Sequence, residues 1–353
     1  VAHRPSRARR YSAISEVAVH APARRQSGTE IESELRASGA GFRLPSGVLR
    51  GMFGLEERRV APDAWPSDLA VAAGRRVLEQ AGLGPGAVDL LIFAAASEDT
   101  EEPATAHVVA HKLGVTAPVF DVKNACNSVL NAVEIADALI RGGSYDTVLV
   151  ATGERNSAFS RLPVRDRDDI SVLLTGCTMG DLGAALLMEA SDRPGILGGA
   201  CFANSSAWQA ATVTNPYHGP VPGPLSVRID SRALAGAFTG MADEVIETLR
   251  TMGLKVGDLD LACVHQASAP FTAAILEALD IPNDKVVSTF AHYGNVAAAS
   301  LPLQLAVAEG SGRLRPGDLV ALIGLASGAS GGVMLLNWRP GQRGTRAVDL
   351  TPC

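Results

Sequence analysis

The sequence predicts an α/β protein made of two duplicated halves with mostly parallel sheets, and three observations carry that prediction. Strand-length runs such as VDLLIFAAAS (residues 88–97) and DTVLVATGE (residues 146–154) are continuously apolar, the pattern of strands buried on both faces. Amphipathic stretches alternate with them: Leu69, Ala72, Ala73, Val77, Leu78 and Ala81 recur with helical spacing and are stopped by Gly82 and Gly84. Finally, the chain repeats itself. LEQAGLGPGAVDLLIFAAAS (residues 78–97) returns as LRTMGLKVGDLDLACVHQAS (residues 249–268), with Leu83 matching Leu254 and Asp89 matching Asp260 at one constant offset. The match resumes downstream, where Asp146 opens DTVLVATG and Asp318 opens DLVALIGLASG, so one supersecondary unit is present twice.

Composition bounds the function. With 353 residues, 47% hydrophobic and 19% charged, the chain buries a large core of two domains or a duplicated one. A net charge of -6 argues against a nucleic-acid or membrane-surface binder, which needs a basic face. The five cysteines, Cys126, Cys177, Cys201, Cys263 and Cys353, are odd in number and contain no C-x-x-C pair. Neither a disulfide framework nor a zinc site is indicated, and a reducing compartment fits. Arg4, Arg7, Arg9 and Arg10 precede no apolar run of signal-peptide length, and no stretch approaches the roughly 18 apolar residues that span a bilayer. A cytoplasmic location is expected.

Taken in order, the chain opens with a strand over residues 14–19, followed by a weakly patterned loop and helix leading to GMFGLEERRVA. The helix from Ser67 and the buried strand of residues 88–97 come next, then the acidic loop EDTEEP and a helix over residues 104–113. Val119, Phe120 and Val122 form a strand, Val129, Val133, Ala136 and Ile140 a helix, and DTVLVATGE another buried strand. RDRDD (residues 165–169) is a solvated loop, GDLGAALLMEA a Gly-rich turn and strand, and residues 201–240, with NPYHGPVPGP at their centre, a long surface excursion. A boundary near residue 190 divides residues 1–190 from 191–353.

Cys126 stands at the corner between the strand of residues 119–122 and the helix that follows. There the positive end of the helix dipole favours the thiolate, and free N–H groups face a substrate. A small buried hydrophobe is the other reading of an unpaired cysteine, and it stays open on Cys126 alone. The repeat adds weight. Cys126 and Asn295 fall at nearly equal distances after Asp89 and Asp260, which assigns both to the same strand-to-helix corner, while His265 closes the strand that matches residues 88–97. A pseudo-twofold axis would bring the three together.

These motifs resemble the thiolase superfamily, most closely the ketoacyl-carrier-protein synthases of the third type and their relatives. The resemblance is carried by DVKNAC at Cys126, GDLGAA from Gly180, VHQAS at His265, HYGNVAAASLP at Asn295 and GLASGASGG from Gly324, and spans about residue 54 to Asn337. It implies a homodimer of five-layer αβαβα subunits and a Claisen-type condensation of fatty acid or polyketide metabolism. An acyl group is carried on Cys126, and His265 and Asn295 donate hydrogen bonds to the carbonyl of a second acyl thioester. By the same resemblance Ser327 and Gly328 contribute to the oxyanion hole. Acyl-coenzyme A or acyl-carrier-protein thioesters are the implied substrates, with an acyl carrier protein as a partner, no tightly bound cofactor and no metal.

Two departures narrow the match. HQASAPF lacks the family's HQAN and the basic residue after it, and Met52 in GMFG replaces the arginine that helps hold coenzyme A, with Arg50 nearby. HQ-x-S and the EP-x-TA stretch at Glu102 are more similar to relatives that join two acyl-coenzyme A molecules head to head, in which a glutamate at this position reaches into the partner subunit's site. Acyl transfer to an oxygen or nitrogen acceptor is the alternative chemistry, and a non-catalytic partner subunit a further one. His107, His111, His218 and His292 have no ligand spacing, Cys177 and Cys263 lie in apolar runs as core residues, and Glu98 and Glu101 are solvated loop charges. No G-x-G-x-x-G follows a strand.

Overall fold

The computed structural model describes residues 10–37, 45–161, 173–214 and 227–341. The N-terminal arginines up to Arg9, the 165–169 charge run, the NPYHGPVPGP segment with His218, and Cys353 lie outside these residues. In chain order the strands are β1 (Tyr11–His20), β2 (Arg25–Ser27), β3 (Glu57–Arg59), β4 (Leu90–Ala94), β5 (Val119–Val122), β6 (Thr147–Arg155), β7 (Asp181–Ser191), β8 (Ile196–Ala203), β9 (Ala211–Val213), β10 (Val227–Ile229), β11 (Leu261–Val264), β12 (Leu319–Ala326) and β13 (Ser330–Asn337).

Two large sheets share one order. The first runs β1-β7-β6-β4-β5 and the second β8-β13-β12-β11, with a parallel bridge from Ala262 to Val286 where the first half has β5. The sheets are more mixed than the sequence suggests. Only β4 with β5 and β6, and β11 with β12, are parallel, because those pairs are joined by helical crossovers. β12 and β13 close a hairpin over residues 327–329 and are necessarily antiparallel, as are β6–β7, β1–β7 and β13–β8.

Strand alternation explains the continuous apolar runs. Leu90, Ile92, Val148, Val150, Leu261, Cys263, Val320 and Leu322 face a central core between the sheets, together with the helices Ser128–Arg141 and Ser300–Gly310. The intervening Leu91, Phe93, Leu149 and Ala151 face outward under the helices Pro66–Ala81 and Thr105–Leu113. Ala262, Val264, Ala321 and Ile323 do the same under Met241–Thr251 and Ala269–Leu279. The result is five layers, α-β-α-β-α, in which the inner strands of both sheets are covered on both faces while the edge strand β8 is partly exposed. Among the described residues no helix is long and apolar enough to cross a membrane.

The repeat has the same hydrogen bonds in both halves. Asp89 Oδ2 accepts from the backbone of Asp146 and Thr147 at 3.0 Å each, and Asp260 Oδ2 accepts from Leu319 at 2.8 Å. Left-handed alanines mark the twin corners, Ala125 with φ 47° and Ala297 with φ 44°, each opening a 3-10 turn before a helix that starts at Ser128 or Ser300. Cys126 is thus twinned with Ala298. Asn295 lies three residues before Ala298, where the spacing from Asp260 alone would put it about level with Cys126, and Gly294 beside it has φ 70°.

Residues 201–240 also differ from the expected surface excursion. They contain a 3-10 helix (Ser205–Ala210), the β9–β10 ribbon and a helix (Ser231–Ala237) capped by Asp230, whose carboxylate accepts from Ala233 N at 2.9 Å. On the first sheet, the helix Pro66–Ala81 lies so close that a Cβ on Gly153 would strike Pro66 O and one on Gly183 would strike Leu69 O. Gly153→Ala and Gly183→Ala should each destabilise by about 1–3 kcal/mol or more through overpacking, while Gly86→Ala, with open space around it, should leave the melting temperature within about a degree. Equal melting temperatures for all three would disprove the close contact.

Candidate active site

One cavity of about 280 Å³ at the junction of the two halves is lined by Cys126, His265, Asn295 and Ser327. Four of the sequence's candidates therefore converge from separate elements. Its remaining wall is largely apolar: Phe53, Phe159, Leu234, Phe238, Phe271 and Leu325, with Phe238 and Phe271 tilted against each other at 6.0 Å. Residues 211–213 and 229–238 supply one side of it, which the Pro/Gly-rich composition of that region did not reveal.

The Cys126 corner is held by polar side chains. Ser128 Oγ accepts from Asn124 N at 2.8 Å and lies within donating distance of Ala125 O and Ala95 O, and Asn124 Nδ2 donates to Asn131 at 2.7 Å. Asn127 Nδ2 donates to the carbonyl and the hydroxyl of Ser330, at 3.1 and 3.0 Å, and so fixes the β12–β13 turn with Ser327 and Gly328 beside the thiol. A side chain at Gly324 would overlap Asn127 Oδ1, so glycine is required there. Gly328, at φ 101°, occupies a conformation that glycine alone adopts readily.

Burial pushes the Cys126 thiol up to about 12, and the charge of Glu154 adds to this while a backbone hydrogen bond opposes it. The expected thiolate is therefore not the resting form. The helix terminus favours the anion, but desolvation in a protein-lined corner outweighs it.

His265 and Asn295 are positioned by one another's loops. His265 N donates to Ile323 O at 2.9 Å, and Gln266 Nε2 donates to Val287 O at 2.8 Å. Gln266 Oε1 accepts from Thr289 N and Phe290 N, at 2.9 and 3.1 Å, at the start of the short helix that leads to Asn295. Asn295 is then pinned against the other half: its N–H donates to Thr178 O at 2.8 Å and its carbonyl accepts from Gly180 N at 3.0 Å. Gly180 and Gly294 permit this crossing, since a Cβ on either would hit the facing backbone. Asn295 Oδ1 accepts from Ala297 N at 2.9 Å, which leaves the side-chain NH₂ to donate elsewhere. Burial lowers His265 to about 4, so its imidazole is neutral, and Nδ1 is buried without a partner.

Ser268, which stands where the third-type synthases have asparagine, lines the cavity and caps the helix Ala269–Leu279 by accepting from Phe271 N at 3.2 Å. Arg50 is exposed and paired with Glu56 at 3.4 Å, and Met52 is exposed. Cys177 and Cys263 are buried in the core, Glu98 pairs at the surface with Lys123, and His107, His111 and His292 are exposed. Glu102 is exposed and does not line the cavity of its own chain. Its loop is nevertheless anchored, because Asp121 accepts from Thr105 N and Ala106 N, at 2.8 and 2.7 Å, and Asp99 N donates to Thr105 Oγ1 at 3.2 Å.

Three groups around the site went unnoticed in the sequence. Gln266 joins the two donor loops, the buried guanidinium of Arg58 donates to Gly176 O, Cys177 O and Met179 O beneath the Asn295 crossing, and Glu154 lies next to Cys126. Only Glu154 left a signal, an acid at the end of an otherwise apolar strand.

Residues 249–338 match the family model of the 3-oxoacyl-[acyl-carrier-protein] synthase III C terminus, and residues 48–184 that of the thiolase N-terminal domain. Among solved structures, OleA of Xanthomonas campestris, in a glutamate-to-alanine variant, is 27% identical with a TM-score of 0.85 over 94% of this chain and 99% of its own. OleA with cerulenin bound is 28% identical, with a TM-score of 0.84 over 93% and 97%. The 3-oxoacyl-(acyl carrier protein) synthase III of Xanthomonas oryzae pv. oryzae is also 28% identical, at 0.84 over 93% and 99%. A twinned five-layer fold, a cysteine at the helix corner of one half and a histidine and an asparagine from the other agree with these matches, and the chain belongs to the thiolase superfamily as a condensing enzyme related to 3-oxoacyl-(acyl carrier protein) synthase III.

Proposed function

We propose that Cys126 is the acyl-accepting nucleophile, that His265 and Asn295 bind the carbonyl of the second thioester, and that the enzyme joins two acyl thioesters with Glu102 of a partner subunit as the base. The observation that carries the first part is the convergence of Cys126, His265 and Asn295 on one largely apolar cavity. In the first half-reaction the sulfur of Cys126 forms a bond to the acyl carbon, and the bond from that carbon to the carrier's sulfur breaks. The carrier leaves as a thiol, taking the proton that Cys126 gives up. In the second, loss of a proton or of carbon dioxide from the second thioester gives an enolate, which His265 and the NH₂ of Asn295 stabilise as donors. The enolate carbon bonds to the acyl carbon, the bond to Cys126 breaks, and the released thiolate takes up the α-proton that Glu102 removed, or one from solvent where carbon dioxide was lost.

The apolar wall suits a hydrocarbon acyl chain. Ser327 and Gly328, on the turn tied to Asn127, are proposed as the oxyanion side of the acylation step. Acyl-coenzyme A or acyl-carrier-protein thioesters are the substrates, and the two duplicated halves divide near residue 190, at the end of β7. Cytoplasmic location and a homodimer complete the reading. The dimer has a chemical reason, since Glu102 is exposed on a loop braced by Asp121 and Asp99, outside its own cavity.

Incubation with an acyl-coenzyme A followed by peptide mapping should place the acyl group on Cys126 alone. Cys126→Ala should abolish turnover without loss of fold, and an adduct on Cys177 or Cys263 would overturn the assignment. His265→Ala and Asn295→Ala should each lose condensation by roughly a hundredfold or more while Cys126 is still acylated. Normal condensation in both would favour transfer to an oxygen or nitrogen acceptor.

Because the folded-state value of His265 is depressed to about 4, the acid limb of the rate profile assigned to it should lie near 4 rather than 6.5. By linkage, the contribution of its neutral form to stability is full above about 6.5 and is lost as pH falls toward 4. An acid limb at 6.5 that disappears in His265→Asn would contradict a desolvated imidazole.

Glu102→Gln should acylate normally but fail to join two simple acyl thioesters, because no other route removes a weakly acidic α-proton. A mixed dimer of Glu102→Gln and Cys126→Ala subunits should keep one competent site, whereas either homodimer has none. Unchanged product from Glu102→Gln, or an absolute requirement for a malonyl thioester in the wild type, would return the enzyme to decarboxylative chemistry.

A further inference from the structure

Glu154 ends β6 with its carboxylate wholly buried, and five donors converge on it. Ala96 N reaches Oε1 at 2.8 Å and Ala298 N reaches the same oxygen at 3.3 Å. On Oε2 the donors are Ser97 N at 3.2 Å, Ser97 Oγ at 2.9 Å and Asn156 Nδ2 at 3.2 Å. Two of the bonded elements matter for the site. The turn of residues 95–97 also carries Ala95 O, within reach of Ser128 Oγ at the head of the Cys126 helix, and Ala298 is the twin of Cys126 in the second half. The place in β12 that matches Glu154 is held by Ala326, so the acid exists on one side of the pseudo-twofold only.

The network has two complete hydrogen-bond states. When the carboxylate is charged, Ser97 Oγ donates to it. When it is protonated, it donates to Ser97 Oγ, and the Ser97 hydroxyl turns to Asn156 Oδ1 at 3.0 Å, while Arg155 N continues to donate to Ser97 Oγ at 3.2 Å. Neither state leaves the Ser97 hydroxyl unpaired, so a change of charge here needs no rearrangement of the backbone.

The surrounding charges are few. Arg155 and its cross-strand neighbour Asp181 point to the opposite face of the sheet, where Arg155 donates to Ala61 O and Pro62 O. Leu182 of β7 and the alanines of the 297–299 turn contribute no charge, and Glu98 is engaged with Lys123 at the surface. The titratable group that feels Glu154 is Cys126.

We propose that Glu154 is a positioning residue for acylation: a buried carboxylate that ties the 95–97 turn, which abuts the head of the Cys126 helix, to the Ala298 turn and, through its charge, holds Cys126 as the neutral thiol. This rests on Cys126 being the nucleophile. Burial raises Glu154 to about 7, against the pull of its donors, so it is protonated in mild acid and charged above neutrality, where the thiol is held most firmly. A thiol held neutral in an empty site is protected from adventitious oxidation and alkylation, and its proton is given up when a substrate thioester presents a leaving sulfur to receive it.

The test is the pH dependence of Cys126 alkylation by iodoacetamide in the full chain, followed by peptide mass spectrometry from about pH 6 to 11. Glu154→Gln keeps the shape and removes the charge, and its alkylation rate between about pH 9 and 11 should rise about tenfold over the wild type. Glu154→Asp should stay near the wild-type rate. Ser97→Ala, which removes a donor to the charged form, should raise the rate only at about pH 7 to 8, where it leaves more of the carboxyl protonated. A folded Glu154→Gln protein with the wild-type profile overturns the proposal. Should that variant fail to fold, an unchanged profile in Ser97→Ala overturns it equally. The assay contains no acyl thioester, so failure of Cys126 to become acylated would defeat the proposed function without altering this result.

Discussion

Everything at the site depends on two backbones touching where the halves of the chain meet. Residues 178–180 and 293–295 pass at hydrogen-bond distance, and only glycines at positions 180 and 294 let them do so. This contact fixes Asn295 against the first half, and the twin 3-10 turns next to it bring Cys126 to the same place. The buried helices Ser128–Arg141 and Ser300–Gly310 run back from those turns between the two sheets. Moving either turn would therefore shift a central layer packed on both faces, and a close-packed interior resists such a shift. The rigidity of the site is inherited from the middle of the fold.

That same packing makes the site electrostatically unusual. A dry corner disfavours charge of either sign, so the thiol rises and the imidazole falls, and both rest neutral. Neutral partners suit a two-stage reaction. Charge appears only as bonds change, on a thiolate, an oxyanion or an enolate, and it appears where N–H groups already point. A permanently charged pair would instead bind solvent and need to be stripped of it before each turnover.

Much of this was legible in the sequence because the pattern was two-fold. The outward and inward residues of β4 and β11 are all apolar, so the runs at residues 88–97 and 261–264 announced strands buried on both sides, and the recurrence of Asp89 as Asp260 announced their duplication. Cys126, His265 and Asn295 could be placed together for the same reason. What failed was finer than one turn of chain. Spacing from Asp260 set Asn295 level with Cys126, whereas the left-handed Ala125 and Ala297 make Ala298 the true counterpart, and no spacing rule contains those φ values. The helix-end argument for a thiolate counted the dipole but not desolvation, which depends on neighbours that are remote in sequence. Gln266 and Arg58 were invisible because their value lies in carbonyl and amide partners supplied by other segments.

Duplication also explains how the two roles came to be separated. A symmetric pair of corners would offer the same group twice, but a condensing site needs a nucleophile on one side and donors on the other. The halves differ where the axis passes: Cys126 faces Ala298, and Glu154 corresponds to Ala326. Each pair sets a functional side chain against a methyl group, which fills the twin position while adding no polar group to be satisfied. Two nucleophiles at the axis would crowd each other, and two buried carboxylates there would repel and raise each other further from ionisation. Alanine in the second half leaves the first half's polar group as the sole occupant, and His265 and Asn295 reach the cavity from the end of β11 and from just before the turn rather than from the turn itself. The asymmetry is thus confined to a few side chains, and the backbone symmetry that holds them in place is preserved.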